Sequence, residues 1–335
     1  MQAFDATRLD WPMNWSAVFD RTAPLFVEIG FGNAQFLIDL ALQNPDADVI
    51  GVEISLPSIK KAEKKTVSNG LKNLRVIHGD SRLALWGGVD LGLLERVYIN
   101  FPDPWHKAAH HHRKLINGRF LHLLATRMRP GGLLEIATDD PGYQEHITEA
   151  LESTPFFASR TQATFEMEDL DRIRTKYELK ALAEGRECHY YHWARNAVLA
   201  ENIFIHPSEL TMPHIIIETP LSLDEISHRY TNYESFAGDT PVRLLHMFQT
   251  TLMSDLREHR PALLVETHIA EDPMPQRVGL TIQQRPENKV IIGLHEIGFP
   301  RPTTGIHLAA AHLARWLLSL DERNKLKHHN LAVEL

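Results

Sequence analysis

The sequence is poor in cysteine and has no long apolar run. Cys188 is the only cysteine among 335 residues, so an internal disulfide and a four-thiolate zinc site are both excluded. No stretch approaches the roughly 18 uninterrupted apolar residues that identify a membrane-spanning helix. The segment Met1–Trp15 carries Asp5, Arg8 and Asp10 in place of the basic end and apolar run of an export signal. We therefore expect a cytoplasmic protein without a membrane anchor, in which Cys188 is a small core residue.

Basic residues are also in a minority. The chain has 35 Lys plus Arg against 43 Asp plus Glu, a formal net charge of -8, which argues against a surface that coats nucleic acid indiscriminately. One stretch is different, because the 31 residues from Pro104 to Leu134 include no acid. Its cations and histidines are Lys107, Arg113, Lys114, Arg119, Arg127, Arg129, His106, His110, His111, His112 and His122. Charge runs are often only solvated faces, but this one predicts a local basic patch.

The first two hundred residues alternate strand-like and helix-like segments, which is typical of an α/β domain with a mostly parallel sheet. The predicted strands are Leu25–Ile29, Val49–Ile54, Leu74–Ile77, Arg96–Asn100 and Leu133–Ala137, and the predicted helices are Phe36–Leu42, Ser55–Gly70 and Lys114–Met128. A further helix is expected after Asp140. Phe165–Met167 and Cys188–Trp193 are predicted to close the sheet as an antiparallel pair.

The periodicity weakens near Phe204, so we expect two domains, residues 1–203 and 204–335. The second has predicted strands at His214–Glu218, Leu263–Ile269, Arg277–Gln283 and Val290–Glu296, and predicted helices at Pro241–His259 and Gly305–Leu320, which indicates a small α+β domain. Between residues 211 and 335 there are 12 basic and 15 acidic residues. This charge gives no support to an independent RNA clamp, and the role of the second domain stays open.

Acidic residues close three consecutive predicted strands. The first strand runs into Glu28, Gly30 and Gly32, a turn in which glycines let the backbone pass close under a ligand. Glu53 ends the second strand, where a carboxylate accepts hydrogen bonds from ribose hydroxyls, and Asp80 ends the third, placed for an adenine amino group. A glycine turn alone often serves only strand-to-helix packing, but the three acids together predict a nucleoside site.

The same acids indicate which nucleoside is bound. A dinucleotide site needs a further glycine that opens the helix, so that pyrophosphate sits on the helix N-terminus. Glu28 would repel that anion. S-adenosylmethionine carries a sulfonium and an ammonium but no phosphate, so the sequence predicts this cofactor rather than NAD.

A stiff loop follows the fourth predicted strand. Its sequence is Phe101-Pro102-Asp103-Pro104-Trp105, and the two prolines cannot continue a hydrogen-bonded ladder. Trp105 offers a flat surface for a base, and Asp103 offers an acceptor for the amino edge of that base.

With these motifs the sequence resembles the bacterial tRNA (guanine-N7)-methyltransferases of the TrmB type. The resemblance runs from Phe26 to Trp193, does not reach the second domain, and rests on Glu28–Gly32, Gly51–Glu53, Phe101–Trp105 with Lys107 and His110, Thr138–Asp139, and Thr175–Glu178. It implies a Rossmann-like class I methyltransferase fold, with a mostly parallel seven-stranded sheet and helices on both faces. It also implies methyl transfer from S-adenosylmethionine to N7 of the variable-loop guanosine of tRNA (m7G46).

The resemblance assigns roles by position. The implied cofactor-binding residues are Glu28, Gly30, Gly32, Glu53, Asp80 and Asp103, the implied catalytic residue is Asp103, and the implied tRNA and guanine contacts are Lys107, Asp139, Thr175, Lys176, Tyr177 and Glu178. Two plainer interpretations stay open: Asp139 as a helix N-cap before Pro141, and Thr175–Glu178 as an ordinary exposed helix start.

Two positions depart from the family pattern, Ala34 in place of a glycine and Ala109 in place of an arginine. They leave open a non-catalytic tRNA-binding protein, and an N-methyltransferase with another acceptor is a third possibility. The histidines at 110–112 suggest RNA contact or plain surface rather than a metal site, because adjacent histidines on one helical turn diverge. We therefore expect tRNA as partner, no metal and no membrane, with the oligomeric state undetermined.

Overall fold

The structure, a computed structural model, describes residues 2–107, 113–170, 172–203, 210–237, 240–253, 259–272, 274–298 and 300–335. The chain forms two compact units, Met1–Ile205 and His206–Leu335. Ala109, the histidines at 110–112 and the expected boundary at Phe204 lie outside the described residues.

The first unit contains one sheet with strand order β1-β4-β3-β2-β5-β6-β8-β7. Its strands are β1 (Phe4–Asp5), β2 (Leu25–Ile29), β3 (Asp48–Glu53), β4 (Leu74–His78), β5 (Leu94–Asn100), β6 (Met128–Thr138), β7 (Phe157–Ser159) and β8 (His189–Arg195). Strands β1 to β6 pair in parallel, and β8 is antiparallel to both β6 and β7. The predicted mostly parallel sheet is confirmed, with eight strands instead of seven because of the two-residue strand β1.

The helices of this unit are α1 (Trp15–Phe19), α2 (Gln35–Gln43), α3 (Leu56–Ser68), α4 (Ser81–Gly88), α5 (Gly118–Arg127), α6 (Pro141–Ser153) and α7 (Lys176–Ala183). Buried side chains of α2 and α3 pack against β2, β3 and β4, and α5 and α6 both contact β6. All five residues of β2 are buried, as expected for a central parallel strand whose two faces are covered.

Two predictions for this unit need correction. The helix predicted from Lys114 begins only at Gly118, because the Asn117 side chain accepts a hydrogen bond from Phe120 N and caps α5. The predicted strand Phe165–Met167 is a single bridge between Glu166 and Tyr190, and β7 is the ladder partner of β8.

The described residues of the second unit form a seven-stranded sheet with two helices. Its strand order is β10-β11-β12-β13-β14-β9-β15, with every pair antiparallel. The elements are β9 (Ile215–Glu218), α8 (Leu223–His228), β10 (Tyr233–Ala237), β11 (Thr240–Met253), β12 (His259–Ile269), β13 (Gln276–Arg285), β14 (Lys289–Leu294), α9 (Thr304–Ser319) and β15 (Lys325–His329). Residues of α8 and α9 share one apolar core with the sheet, which confirms an α+β architecture.

The helix predicted at Pro241–His259 is wrong, because β11 occupies this segment. Val242 and Leu244 are buried at strand spacing, and a register irregularity between Leu244 and Met247 shifts the alternation by one residue. Met247 therefore packs on the same core as Leu244 although the two positions are three apart in the chain. Apolar residues three apart also occur on a helix face, and this spacing misled the prediction.

A substitution at Gly51 tests how closely β3 packs against Phe31 of the glycine turn and Leu37 of α2. A β-carbon at this position of β3 would lie 2.7 Å from Phe31 Cδ1 and closer still to Leu37. We expect Gly51→Ala to lower the free energy of unfolding by about 1–3 kcal/mol, the usual cost of overpacking a core. Chemical denaturation measures this change. Gly118→Ala is the matched control, since nothing lies within 4 Å of its β-carbon position, and an equal loss of stability in both variants would contradict the packing argument.

Candidate cofactor and acceptor cleft

A cleft of about 510 Å³ opens beyond the carboxyl ends of the parallel strands. It lies where the strand order reverses, between β2 and β5, which is the position at which open α/β sheets bind ligands. Nine of the predicted site residues line it: Glu28, Gly30, Gly32, Glu53, Asp80, Asp103, Thr175, Lys176 and Tyr177. The tertiary structure therefore brings together residues that are up to 149 positions apart along the chain.

The glycine turn has left-handed backbone conformations. Gly30 has φ of 72° and Gly32 has φ of 51°, a region in which residues with a β-carbon are disfavoured. Ala34 also has a positive φ, 63°, at the N-cap of α2, and its side chain is fully buried. The conformation costs an alanine roughly 1–2 kcal/mol, yet the turn forms with it.

Glu53 is held by the backbone of this turn. Its Oε2 accepts a hydrogen bond from Gly32 N at 3.0 Å, and its Oε1 accepts from Ile54 N at 2.8 Å and Ser55 N at 2.9 Å. A carboxylate offers about four acceptor positions. Glu53 can therefore orient the turn and still accept hydrogen bonds from a ligand.

Glu28 is the most buried acid of the cleft, with 1% of its surface exposed. Its Oε1 accepts a hydrogen bond from Asn100 Nδ2 at 3.0 Å, whereas its Oε2 is buried without a hydrogen-bond partner. Burial, as the largest cause, raises the pKa of Glu28 to about 8. A buried carboxyl with an unsatisfied oxygen fits a cationic ligand group, such as the sulfonium or ammonium of S-adenosylmethionine, better than an anionic one.

Asp80 lies at the N-terminus of α4 and is paired. Its Oδ1 accepts from Arg82 N at 2.8 Å, and its Oδ2 accepts from Arg82 Nη2 at 2.6 Å. A nucleobase at this edge would share the carboxylate with Arg82, a lining residue that the sequence analysis did not single out.

The Phe101–Trp105 loop forms another wall of the cleft. Phe101 and Trp105 have φ of 51° and 46°, strain that aromatic residues adopt only where the surroundings impose it. The guanidinium of Arg113 lies 4.5 Å from the centre of the Trp105 ring, a cation–π contact. Between these two aromatic residues Asp103 is exposed and lines the cleft.

Three residues at the start of α7 line the cleft, of which Lys176 and Tyr177 are exposed and Thr175 is buried. Lys176 and Tyr177 line the cleft, and a β-carbon on Gly32 would lie 3.6 Å from Tyr177 Cε2. Thr175 and Glu178 form a reciprocal capping box and are 7% and 0% exposed. The segment is a helix start with Lys176 and Tyr177 exposed, as the plainer interpretation expected, but Thr175 and Glu178 are buried.

Lys107, Asp139 and Glu178 do not line the cleft. Lys107 is exposed, and Asp139 is ion-paired with Arg186. The alternative that Asp139 caps a helix is also wrong, because Asp140 accepts from Tyr143 N at 2.7 Å and caps α6.

Not every cation of the acid-free stretch Pro104–Leu134 belongs to the predicted basic surface patch. Arg127 is 0% exposed and donates to the carbonyl oxygens of Leu85 and Trp86, so it stabilises the core. Arg129 pairs with Glu95 at 3.1 Å. The predicted patch is therefore wrong for Arg127, whereas Arg113 and Lys114 do line the cleft.

The sequence analysis missed Asn100 and Arg172 as site residues. Asn100 bonds to Glu28, and Arg172 donates from Nη2 to the side-chain oxygen of Asn100. Asn100 could have been suspected, because it precedes the proline loop at the end of a strand. Nothing in the pattern around Arg172 distinguishes it from the other cations.

Two further absences hold for the described part of the chain. No group of three or more potential metal-ligating side chains occurs there. Within those same ranges, every helix is too short or too polar to cross a membrane.

The strand order and the position of the cleft are those of a Rossmann-like class I methyltransferase fold. A family model described as "Putative methyltransferase" matches residues 22–191. The chain is 30% identical to a tRNA (guanine-N(7)-)-methyltransferase of Thermus thermophilus over 327 residues, 96% of this chain and 95% of the relative. The chain belongs to this tRNA (guanine-N(7)-)-methyltransferase family.

Two other relatives bear the same name. One, from Thermotoga maritima, is 33% identical over 64% of this chain and 68% of its own length. The other, from Cutibacterium acnes, is 39% identical over 56% of this chain and 68% of its own length. The Thermus alignment extends over nearly all of the second unit, so the expectation that the resemblance stops before that unit is wrong.

Glu28 leads to a prediction about pH and stability. A carboxyl with a folded-state pKa near 8 and an ordinary unfolded-state pKa binds more protons when folded, so its contribution to stability is full below about pH 4.5 and is lost as pH rises through 8. We expect Glu28→Gln to raise the midpoint of thermal unfolding, relative to the unsubstituted protein, by several degrees more at pH 9 than at pH 5. Glu149→Gln, at an exposed position of α6, is the control. A Glu28→Gln difference that is the same at both pH values would contradict this assignment.

Proposed function

We propose that the protein transfers the methyl group of S-adenosylmethionine to N7 of the variable-loop guanosine of tRNA (m7G46). The observation that carries the proposal is the buried carboxyl of Glu28, with one oxygen unpaired, in the same cleft as Asp103 at the reversal of the strand order. The names of the three relatives support the choice of acceptor. We further propose that catalysis occurs in residues 1–203, in the cytoplasm, and that residues 204–335 form a separate domain.

The cofactor supplies an electrophilic methyl group on a sulfonium. In the proposed arrangement Glu28 faces the cationic end of this ligand, the turn at Gly30 and Gly32 leaves room for it, and Glu53 accepts hydrogen bonds from the ribose hydroxyls. Asp80, together with Arg82, contacts the adenine edge. The unpaired Oε2 of Glu28 supports this direction of binding, because a cation beside it favours the ionised carboxylate that burial alone disfavours.

Asp103 is the proposed catalytic residue. N7 of guanine has an in-plane lone pair, so methyl transfer requires no general base, and the protein must chiefly hold the reactants in line. The Asp103 carboxylate can accept hydrogen bonds from the amino edge of guanine and stabilise the positive charge that the purine gains. The stiff loop around it supports this role, since its two prolines limit the backbone conformations from which the Asp103 side chain extends.

Contacts with the tRNA are proposed for Lys107, Asp139 and the start of α7. We assign Lys176 and Tyr177 to the guanosine because they line the cleft, and the exposed Lys107 to a phosphate outside it. Thr175 and Glu178 would act by shaping this helix start. Asp139 would act either through Arg186 or after that ion pair opens.

The non-catalytic alternative was motivated by Ala34 and Ala109. Ala34 adopts the left-handed conformation that a glycine would adopt, and the cleft is formed around the turn. We therefore favour the enzyme. The test is incubation with radiolabelled S-adenosylmethionine and bulk unmodified tRNA, followed by nucleoside analysis, in which label in 7-methylguanosine is expected and its absence would contradict the proposal.

Asp103→Asn is expected to reduce methyl transfer at least about 100-fold, because the carboxylate charge acts mainly in the transition state. The thermal midpoint and the affinity for S-adenosylhomocysteine should change little. Single-turnover methylation measures the loss. Asp46→Asn, an exposed position between α2 and β3, serves as control, and full activity of Asp103→Asn would remove Asp103 from the mechanism.

Lys107→Ala should weaken tRNA binding without affecting the cofactor. A phosphate contact contributes about one unit to the slope of log affinity against log salt, so we expect a several-fold higher KM for tRNA and a slope reduced by about 1. Lys72→Ala, exposed before β4, is the control. An unchanged salt slope would show that Lys107 does not contact a phosphate.

A further inference from the structure

A continuous series of hydrogen bonds joins the cofactor side of the cleft to the start of α7. Glu28 Oε1 accepts from Asn100 Nδ2 at 3.0 Å, and Asn100 Oδ1 accepts from Arg172 Nη2. Arg172 Nε donates to Glu178 Oε2 at 3.2 Å. Because a guanidinium only donates, the orientation of the Asn100 amide follows from its partner.

Arg172 is buried at the centre of this series. Its side chain is 5% exposed, and its guanidinium lies 5.6 Å from the Phe36 ring centre and 5.3 Å from that of Tyr190. The two aromatic rings restrict the planar group, and its rigid fork reaches Asn100 with one nitrogen and Glu178 with another. The guanidinium therefore holds both partners at once.

Glu178 completes the cap of α7 with the same oxygen that Arg172 contacts. Thr175 N donates to Glu178 Oε2 at 3.2 Å, and Glu178 N donates to Thr175 Oγ1 at 3.0 Å. Tyr190 OH donates to the other carboxylate oxygen at 3.0 Å. The cap that positions Lys176 and Tyr177 therefore depends on a carboxylate that Arg172 holds in place.

We propose that Arg172 is a positioning residue that couples occupation of the cofactor site to the order of the acceptor-binding start of α7. This inference rests on the proposed function and deepens it. A cation beside Glu28 favours the ionised carboxylate, which is a stronger acceptor for Asn100 Nδ2 than the neutral carboxyl that burial favours. Hydrogen bonds in series polarise one another in a buried setting. The protein with bound cofactor then holds Lys176 and Tyr177 in place for the acceptor. As a consequence, S-adenosylmethionine binds before tRNA.

Hydrogen exchange of the α7 backbone, with and without S-adenosylhomocysteine, tests the coupling without tRNA. In the unsubstituted protein we expect the ligand to slow exchange in the first turn of α7 by about tenfold, in the range of ordinary allosteric coupling. In Arg172→Gln the same ligand should change this exchange less than about twofold, while the affinity for the ligand stays within about threefold. Arg172→Lys keeps the charge but not the fork, so it should restore only part of the effect.

Arg174→Gln is the matched control. Arg174 Nη1 lies 3.9 Å from Glu178 Oε1 and its side chain is 37% exposed, so this variant removes a cation near the same carboxylate. Its exchange response to the ligand should equal that of the unsubstituted protein. With tRNA, Arg172→Gln should raise the KM for tRNA about tenfold and leave kcat within about threefold.

The outcomes separate this inference from the proposed function. Binding of S-adenosylhomocysteine without any change in α7 exchange, or an intact response in Arg172→Gln, overturns the coupling alone. An intact coupling without label in 7-methylguanosine overturns the proposed acceptor alone. No binding of S-adenosylhomocysteine by the unsubstituted protein overturns both. If Arg172→Gln does not fold, a full exchange response in Arg172→Lys overturns the proposal that the forked guanidinium carries the coupling.

Discussion

The buried carboxyl of Glu28 is the constraint on which the cleft depends. Placing an acid at the end of a central parallel strand is unfavourable, because burial disfavours the charged form and raises the pKa of Glu28. The structure satisfies one oxygen through Asn100 and leaves the other without a partner. A bound cationic ligand stabilises such a site, whereas a phosphate group would be repelled by it. The buried acid therefore selects against phosphate-bearing nucleotides.

The neighbouring residues are arranged around this acid by the topology of the sheet. The strand order reverses between β2 and β5, so Glu28 and the Phe101–Trp105 loop emerge at one edge from segments far apart in the chain. Helix α7 then brings a third segment to the same opening. The capping box of Thr175 and Glu178 is buried, and Lys176 and Tyr177 line the cleft. The cap that begins the helix therefore also sets the position of both side chains.

The second unit differs from the first in having an antiparallel sheet with a single apolar core. Its antiparallel sheet packs one face against α8 and α9 in a single apolar core, and the irregularity in β11 is part of that packing. Because the Thermus relative aligns over 96% of the chain, the sequence similarity of the two proteins includes this unit. Its charge balance does not indicate a phosphate-binding surface of its own.

The sequence by itself determined the alternation of strands and helices, the glycine turn, the acids that close the strands and the proline loop, because each depends on residues that are neighbours in the chain. Only the tertiary structure decided that Arg127 is a core residue, that Asp140 and not Asp139 caps α6, and that β11 is a strand. It also decided that Arg172 connects Asn100 to Glu178. Burial and pairing between distant segments set these outcomes, and no periodicity within a short window records them.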